Sequence, residues 1–310
     1  MKPPSLNLGD SLSETNTISE STASQPKDPD VQPAIPIEPN ESQEKSKKAQ
    51  MRFQPVDFEF ETSTVWSFRS RGAWATHSSD YRGNWSPLVV RNLILRYTTE
   101  RETVLDPFVG GGTTMIETKL LNRNGIGLDI NEEAVKLTIE KLDFEFPNQL
   151  AGITQTVKVG DARDLNEIEN NSIDLVLLHP PYADVIQYTK DPRDLSMIHD
   201  IKLYLQAMRP IADGVFRVLK PVRYCALLIG DTRRFRHYVP IAFPLMEVFL
   251  LSGFILKENI IKHQWNCKST PFWREKSVQN NFLLLAHEHL FVFRKPVIEE
   301  DTRKFRESMV

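Results

Sequence analysis

The stretch "TVLDPFVGGGTTMIETKLLNRNGIGLDI", from Thr103 to Ile130, decides the fold class. A short apolar run ends in Asp-Pro-Phe, three successive glycines follow, and a helix-like segment then leads to a second apolar run that ends at Asp129. Glycines let the backbone turn tightly and approach another group without a Cβ clash, and the start of the next helix offers free N–H groups. The pattern therefore predicts a strand, a tight loop, a helix and a second, parallel strand.

The same alternation of short apolar runs and helix-like segments continues towards the C-terminus. It comprises, in chain order, "NEEAVKLTIEKLDF", "TVKVGDA", "IDLVLLHPPY", "IKLYLQAMRPIADGVFRVL" and "YCALLIGD". Strands that alternate with helices are typical of crossover units, so we predict an α/β fold with a mostly parallel central sheet and helices on both faces. The last apolar runs, "ILKENIIKHQW" and "HLFVFRK", lack such a helical spacer, so we expect an antiparallel pair at the sheet edge.

Acidic residues end three successive predicted strands: Asp106, Asp129 and Asp161. Ligands of open parallel sheets bind outside the carboxyl ends of the strands. An acid about 20 residues after a glycine-rich turn suits a ribose diol, which assigns Asp129 to that role, and Asp161 could accept from an adenine amino group. The loop lacks the spacing of a dinucleotide site and the Lys of a Walker loop, so an adenosine-type cofactor is predicted.

The fourth predicted strand of this series ends abruptly in His179-Pro180-Pro181-Tyr182. Each proline removes a backbone donor, so the strand cannot continue, and the chain becomes rigid where it presents an aromatic ring. An ordinary strand-ending turn is the structural alternative to a functional role.

Together, "DPFVGGGTT" and "HPPY" resemble two motifs of the S-adenosylmethionine-dependent DNA amino-methyltransferases, which methylate N4 of cytosine or N6 of adenine. The upstream "HSSDYRGNWSPLVVRNLI", from His77 to Ile94, is similar to a cofactor-contacting segment of that family. The resemblance implies a Rossmann-like class I methyltransferase fold and S-adenosylmethionine as cofactor. It also implies a cofactor loop formed by Asp106, Pro107, Phe108, Gly110, Gly112, Thr113 and Thr114.

The resemblance further implies that the catalytic turn is His179, Pro180, Pro181 and Tyr182. The His179 side chain and the Pro180 carbonyl would accept hydrogen bonds from the target amino group, while Tyr182 would stack on a base flipped from the duplex. The family has Asp, Asn or Ser in place of His179, and Asp184 is an alternative acceptor. A neutral histidine resembles serine more than a carboxylate, which favours N4 of cytosine over N6 of adenine.

Two other functions remain open: an RNA base amino-methyltransferase, since tRNA guanine enzymes share both motifs, and a catalytically silent nucleic-acid-binding subunit. His287 and His289 alternate along the last strand, but no third ligand is evident, so we expect polar structural positions there and no metal site.

The expected partner is double-stranded DNA with a flipped target base, but net charge gives this no support. After the first 50 residues, the chain carries 33 acidic and 33 basic residues. Binding must therefore use a local basic face, and Arg233, Arg234 and Arg236 alternate with aromatic residues as such a face would require. A compact chain also implies a short recognition sequence or help from a restriction endonuclease or specificity partner.

The first 50 residues contain no aromatic residue and many Ser, Glu and Pro, so we predict a disordered tail, 1–50. A methyltransferase domain, 51–297, and a C-terminal tail, 298–310, are expected to follow. Two distant cysteines form no disulfide framework, and neither a signal-peptide core nor a membrane span is evident, which predicts a cytoplasmic protein.

Overall fold

The computed structural model describes residues 51–182, 187–265 and 270–309; the predicted tail, 1–50, and Asp184 lie outside them. The strands are β1 (Val65–Ser67), β2 (Thr103–Asp106), β3 (Asn124–Asp129), β4 (Gln155–Val159), β5 (Ile173–Leu178), β6 (Leu219–Ile229), β7 (Thr232–Arg234), β8 (His237–Val239), β9 (Ile255–His263) and β10 (His287–Arg294). The helices are α1 (Pro87–Tyr97), α2 (Thr113–Leu120), α3 (Glu132–Leu142), α4 (Ile201–Val218), α5 (Ala242–Leu251) and α6 (Thr270–Gln279).

Within the described residues, one large sheet has the strand order β1-β9-β10-β6-β5-β2-β3-β4, and β7 pairs with β8 in a separate hairpin. Strands β2 to β6 are mutually parallel along this order. This arrangement confirms the predicted α/β fold with a mostly parallel central sheet.

The predicted antiparallel pair is also confirmed, since β10 runs antiparallel to both β9 and β6. A short strand that the sequence analysis did not identify, β1, lies outside β9 and runs parallel to it. Strand β9 therefore has a three-residue neighbour on its outer side.

Helices pack on both faces of the sheet because its central strands are apolar on both sides. On one face, α4 and α5 contribute residues such as Met208 and Phe249 to a core that includes Val176 of β5. On the other face, α1 contributes residues such as Leu93 to a core that includes Leu175, the neighbour of Val176 in β5. Because successive strand residues point to opposite faces, the continuous run "IDLVLL" buries all six residues.

The direction of chain progression reverses between β2 and β5. From β2 the chain moves outward through β3 and β4, and it then returns to place β5 on the other side of β2. The carboxyl ends of β2 and β5 are consequently adjacent, and a crevice opens between the loops that follow them. These are the loops that carry "DPFVGGGTT" and "HPPY".

The segment after β10 contains hydrogen bonds and a short helix. Arg294 forms two hydrogen bonds with Glu300, at 2.9 and 2.8 Å, and a short 3-10 helix covers Thr302–Ser308. The predicted boundary at residue 297 remains a prediction. In the described part of the chain, no helix combines the length and the apolar character needed to cross a membrane.

Candidate active site

A cavity of about 690 Å³, open at its mouth, lies at the adjacent carboxyl ends of β2 and β5. Its walls come from the loops after β2, β3, β4 and β5 and from the segment that precedes α1. Of the predicted site residues, it is lined by Pro107, Phe108, Gly110, Asp129, Asp161, His179 and Pro181.

The remaining predicted residues of the cofactor loop do not line the cavity but hold its shape. Asp106 is buried at the end of β2, where it accepts from the Thr114 hydroxyl at 2.5 Å and from the Phe108 backbone N–H at 3.0 Å. Burial raises the pKa of Asp106 to about 7. Thr113 is buried in the first turn of α2, and Gly112 precedes that turn with a left-handed φ of 82°.

Asp129 ties the glycine loop to the end of β3. Its carboxylate accepts from the Gly110 N–H at 2.9 Å and from the Asn131 N–H at 2.9 Å. Burial raises the pKa of Asp129, while these backbone hydrogen bonds act in the opposite direction. Asp129 is therefore placed at the cavity wall by two adjacent turns.

Asp161, after β4, lies at the cavity but already has a partner in its own loop. Arg163 donates to both carboxylate oxygens, with a shortest distance of 2.6 Å. Burial alone would raise the pKa of Asp161, but the Arg163 hydrogen bonds and charge hold it below its ordinary value. Any further ligand would share this carboxylate with the guanidinium.

The segment upstream of α1 closes the cavity from the side of the glycine loop. Tyr81, Asn84 and Trp85 line it, and the Asn84 side-chain oxygen Oδ1 accepts from the Gly111 N–H at 3.0 Å. A Cβ at position 111 would lie 2.4 Å from Asn84 Nδ2 and 2.7 Å from Tyr81 Cβ. The second of the three glycines thus needs to be glycine for close approach. These residues fall inside the upstream segment identified by resemblance, although the sequence analysis did not single them out.

A buried polar cluster anchors that upstream segment to helix α2. Glu117 of α2 accepts from Trp74 Nε1 at 2.8 Å and from Arg91 at 3.0 Å, and it lies 2.8 Å from His77 Nε2. Each partner satisfies part of a fully buried carboxylate, which would otherwise be costly. The cluster holds the cavity wall in place.

The predicted catalytic turn forms a connected set of side chains. His179 lines the cavity beside Trp85, and its Nε2 is 3.0 Å from the Tyr182 hydroxyl. Tyr182 donates to Glu288 of β10 at 2.5 Å, and Glu288 in turn accepts from Lys262 at 2.7 Å. Burial lowers the pKa of His179 to about 4, so its ring is neutral near pH 7. Pro180 is buried, and neither Pro180 nor Tyr182 lines the cavity.

Sequence reasoning missed Glu288 and Lys262. It weighed His287 and His289 for their shared face, yet the residue between them, on the opposite face, is the one that reaches the turn. Because β10 is antiparallel, its first residues lie at the same edge as the carboxyl ends of the parallel strands. A search restricted to the carboxyl ends of strands cannot find such a residue.

Arg233, Arg234 and Arg236 lie on the β7–β8 hairpin and do not line the cavity. The tip of this hairpin consists of Phe235 and Arg236, which both have left-handed φ values, of 50° and 69°. The Phe235 side chain is 94% exposed. The hairpin thus presents exposed aromatic rings, Phe235 and Tyr238, among basic residues.

Comparison with known proteins bears on the resemblance. A family model described as DNA methylase matches residues 12–140, which include the whole cofactor loop and Asp129. Over these residues the chain is similar to the DNA amino-methyltransferases. The family match ends before His179, so the catalytic turn is not part of the matched region.

The methyltransferase relatives include DNA and tRNA enzymes. The Type II methyltransferase M.HpaI of Haemophilus parainfluenzae is 38% identical over 84 residues, or 27% of each chain. A tRNA (guanine(10)-N2)-dimethyltransferase of Pyrococcus abyssi is 28% identical over 48% of this chain and 43% of its own. The Type II methyltransferase M.MjaI of Methanocaldococcus jannaschii is 25% identical over 44% and 54%. The matched regions therefore span about a quarter to a half of these relatives.

S-adenosylmethionine is the cofactor of this methyltransferase family. The polar and aromatic groups that line the cavity are of the kinds that could bind it. Carboxylates at Asp129 and Asp161 can accept from hydroxyl and amino groups, and aromatic rings line the walls. Among the described residues, the buried donors Asn84 Nδ2 and Trp85 Nε1 also lack a protein partner. Buried polar groups are normally satisfied, so these donors suit a ligand with acceptor groups.

Proposed function

We propose that the protein transfers a methyl group from S-adenosylmethionine to an exocyclic amino group of a nucleic-acid base, with double-stranded DNA as substrate. The observation that carries this proposal is the meeting of two loops at one cavity. The glycine loop and Asp129 form one wall, and His179 and Pro181 form another. A cofactor held by the first wall would face a base held by the second.

In this proposal, the residues after β2, β3 and β4 bind the cofactor. Asp129 accepts from the ribose hydroxyls, and Asp161 accepts from the adenine amino group while it keeps its bond to Arg163. Gly110 and Gly112 let the loop turn closely around the ligand. When bound, S-adenosylmethionine supplies an electrophilic methyl group on a positively charged sulfur.

The turn after β5 prepares the amino nitrogen for attack. An exocyclic amino group is a poor nucleophile because its lone pair is delocalised into the ring. His179 and the Pro180 carbonyl accept hydrogen bonds from its two protons, which favours a pyramidal nitrogen whose lone pair points at the methyl group. Methyl transfer would form the N–C bond as the S–C bond breaks, and the nitrogen would then lose one proton to solvent.

Tyr182 supplies the aromatic platform on which the flipped base stacks. Its hydroxyl bond to Glu288 fixes the ring beside His179. The Tyr182 ring also packs against the core that α4 and α5 form with β5, which restricts its rotation.

DNA is favoured as substrate because several relatives are named Type II methyltransferases, and because the β7–β8 hairpin offers Arg233, Arg234 and Arg236 to a phosphate backbone. A restriction endonuclease or a specificity subunit would be a fitting partner. We propose N4 of cytosine over N6 of adenine as the target, since a neutral His179 provides no carboxylate beside the amino group.

A second candidate is methylation of an amino group in tRNA. This candidate is favoured by the extent of one match. The tRNA enzyme of Pyrococcus abyssi matches 48% of this chain, whereas M.HpaI matches 27% of it. The same cavity and turn would serve, because the chemistry at the nitrogen is unchanged.

Mass spectrometry of nucleosides separates these functions. Genomic DNA, duplex oligonucleotides and total tRNA are each incubated with the protein and labelled S-adenosylmethionine, then digested. Labelled N4-methylcytosine in DNA is the expected product. N6-methyladenine alone would overturn the choice of base, and label confined to tRNA would favour the second candidate. If no nucleoside carries the label although the protein binds the cofactor, the result would favour a catalytically silent nucleic-acid-binding subunit.

A further inference from the structure

A chain of three hydrogen bonds connects the catalytic turn to the antiparallel part of the sheet. It runs from Lys262 Nζ to Glu288 Oε2, from Glu288 Oε1 to the Tyr182 hydroxyl, and from that hydroxyl to His179 Nε2, at 2.7, 2.5 and 3.0 Å. Lys262 and Glu288 are directly opposite each other on β9 and β10. We call this chain of three hydrogen bonds, from Lys262 to His179, the relay. It starts from two paired strands, β9 and β10.

The direction of each bond follows from which groups can donate. An ammonium only donates and a carboxylate only accepts. Burial alone would raise the pKa of Glu288, but the charge of Lys262 brings it below its ordinary value, so Glu288 is a carboxylate. Tyr182 must donate its single proton to Glu288, which leaves its oxygen as an acceptor. The bond to His179 then requires a proton on Nε2.

A neutral imidazole with a proton on Nε2 has its lone pair on Nδ1. Burial keeps His179 neutral near pH 7, since its pKa is lowered to about 4. Within the part of the chain that the structure describes, Nδ1 has no hydrogen-bond partner, whereas His179 itself lines the cavity. The free acceptor of the ring is thus Nδ1.

We propose that Glu288 and Lys262 are positioning residues that hold His179 in the Nε2–H tautomer and so present Nδ1 as the acceptor for the target amino group. The inference rests on the proposed function only for the last step, the identity of the hydrogen donor. Neither residue touches the cavity, so both act through Tyr182.

Gly230 makes the relay sterically possible. A Cβ at this position would lie 2.9 Å from Tyr182 Cε2 and 3.5 Å from Glu288 Cγ. The missing side chain leaves room for the tyrosine ring to lie against the end of β6 and reach the carboxylate on β10.

The near-isosteric Glu288→Gln variant should reverse the relay. Lys262 can only donate, so the amide oxygen must turn towards it and the NH₂ group towards Tyr182. Tyr182 then accepts from the amide and donates its own proton to His179 Nε2. The His179 proton moves to Nδ1, and the cavity is offered a donor in place of an acceptor. An analogous carboxylate-to-amide change in a serine protease triad also selects the wrong histidine tautomer.

Long-range ¹H–¹⁵N spectra of histidine-labelled full-length protein near pH 7.5 test this directly. A His179→Gln variant identifies the His179 signals. We expect protonated Nε2 and unprotonated Nδ1 in the wild type, and the opposite in Glu288→Gln. Glu258→Gln, on β9 and paired with Lys257, is the matched control and should leave the tautomer unchanged. Wild-type Nδ1–H, or an unchanged tautomer in Glu288→Gln, would overturn the proposal.

Tyr182→Phe provides a second test if Glu288→Gln does not fold. It removes the hydroxyl and keeps the ring, so His179 should populate both tautomers; a single Nε2–H form would count against the relay. In the methylation assay, Glu288→Gln should reduce kcat by roughly 10²-fold or more without changing the Kd for S-adenosylmethionine. The spectra need no substrate, so a protein that methylates nothing would refute the proposed function while the tautomer result still decided the relay.

Discussion

At the scale of single residues, the role of His179 depends on side chains far away in sequence. Its position in the turn is visible in the sequence, and so is its difference from an acid. Its protonation state is not, because burial and the charges of Glu288, Lys262 and Arg71 determine it together. The sequence could therefore predict that His179 must be neutral to accept a hydrogen bond, but neither that its ring is neutral nor which ring nitrogen accepts.

The pH dependence of methylation should report on this histidine. A protonated ring has no acceptor, so turnover should persist as the pH falls from 7 and decline through the His179 pKa, at about 4. His179→Ser has no such group, and its kcat profile should lack this acid limb. Circular dichroism at each pH must show that both proteins remain folded. An acid limb shared by both proteins would assign it to another group.

The lowered pKa also affects stability in a defined direction. The folded protein binds fewer protons at His179 than the unfolded chain between about pH 6.5 and about pH 4. The contribution of His179 to stability is therefore complete above the higher value and is lost as the pH falls through this window. His179→Ser should show a shallower decline of unfolding free energy over the same range.

Asp129→Ala should weaken S-adenosylmethionine binding by about tenfold or more, because a charge-assisted hydrogen bond contributes roughly 1.5–3 kcal/mol. The substitution also removes the bonds that hold the Gly110 and Asn131 N–H groups. Isothermal titration calorimetry measures the effect. Asp164→Ala, an exposed acid after β4 that does not line the cavity, is the control. Equal affinity in a folded Asp129→Ala protein would remove Asp129 from the site.

At the scale of secondary-structure elements, the alternating strands and helices from Thr103 to β6 were predictable, whereas the helices α1, α5 and α6 and the short strands were not. The runs that became β2, β3, β5 and β6 contain buried apolar residues and are bounded by turn residues, whereas β4, at the sheet edge, is only partly buried. Strand β1 has only three residues, too few for a detectable alternation. The hairpin tip lacks the Asn-Gly type of turn signal, because Phe235 and Arg236 themselves adopt the left-handed conformation. Tertiary interactions, rather than local preference, hold these two elements.

The β7–β8 hairpin is where nucleic-acid binding should be tested. Changing Arg233, Arg234 and Arg236 to Gln should weaken DNA binding, and the log–log salt slope should fall by about one for each phosphate that the variant no longer neutralises. Fluorescence anisotropy over a salt series measures both. The control changes three basic residues of the C-terminal 3-10 helix: Arg303, Lys304 and Arg306. The same slope in the hairpin variant and the wild type would make the hairpin an ordinary solvated loop.

At the scale of the whole molecule, the folded unit should begin close to residue 51. Arg52 donates to the Ala73 carbonyl, and the Phe53 ring packs against Phe144 and Phe146. The preceding residues have a composition that cannot bury enough apolar surface to offset their ordering entropy. Deleting them should leave the melting temperature unchanged in a calorimetric scan. A large decrease would show that the tail contributes to the fold.

A longer truncation, one that also removes strand β1, should change the self-association of the protein. It pairs with only three residues at the far end of β9, from Ile261 to His263, yet it occupies the outer side of a nine-residue strand. Removing the chain through Phe68 would leave that edge with a row of unpaired backbone groups, which recruit a second copy by strand addition. We expect such a truncation to elute as oligomers that grow with concentration, while the chain from residue 51 elutes independently of concentration. The segment that carries β1 would then separate a dispersed protein from a self-associating one.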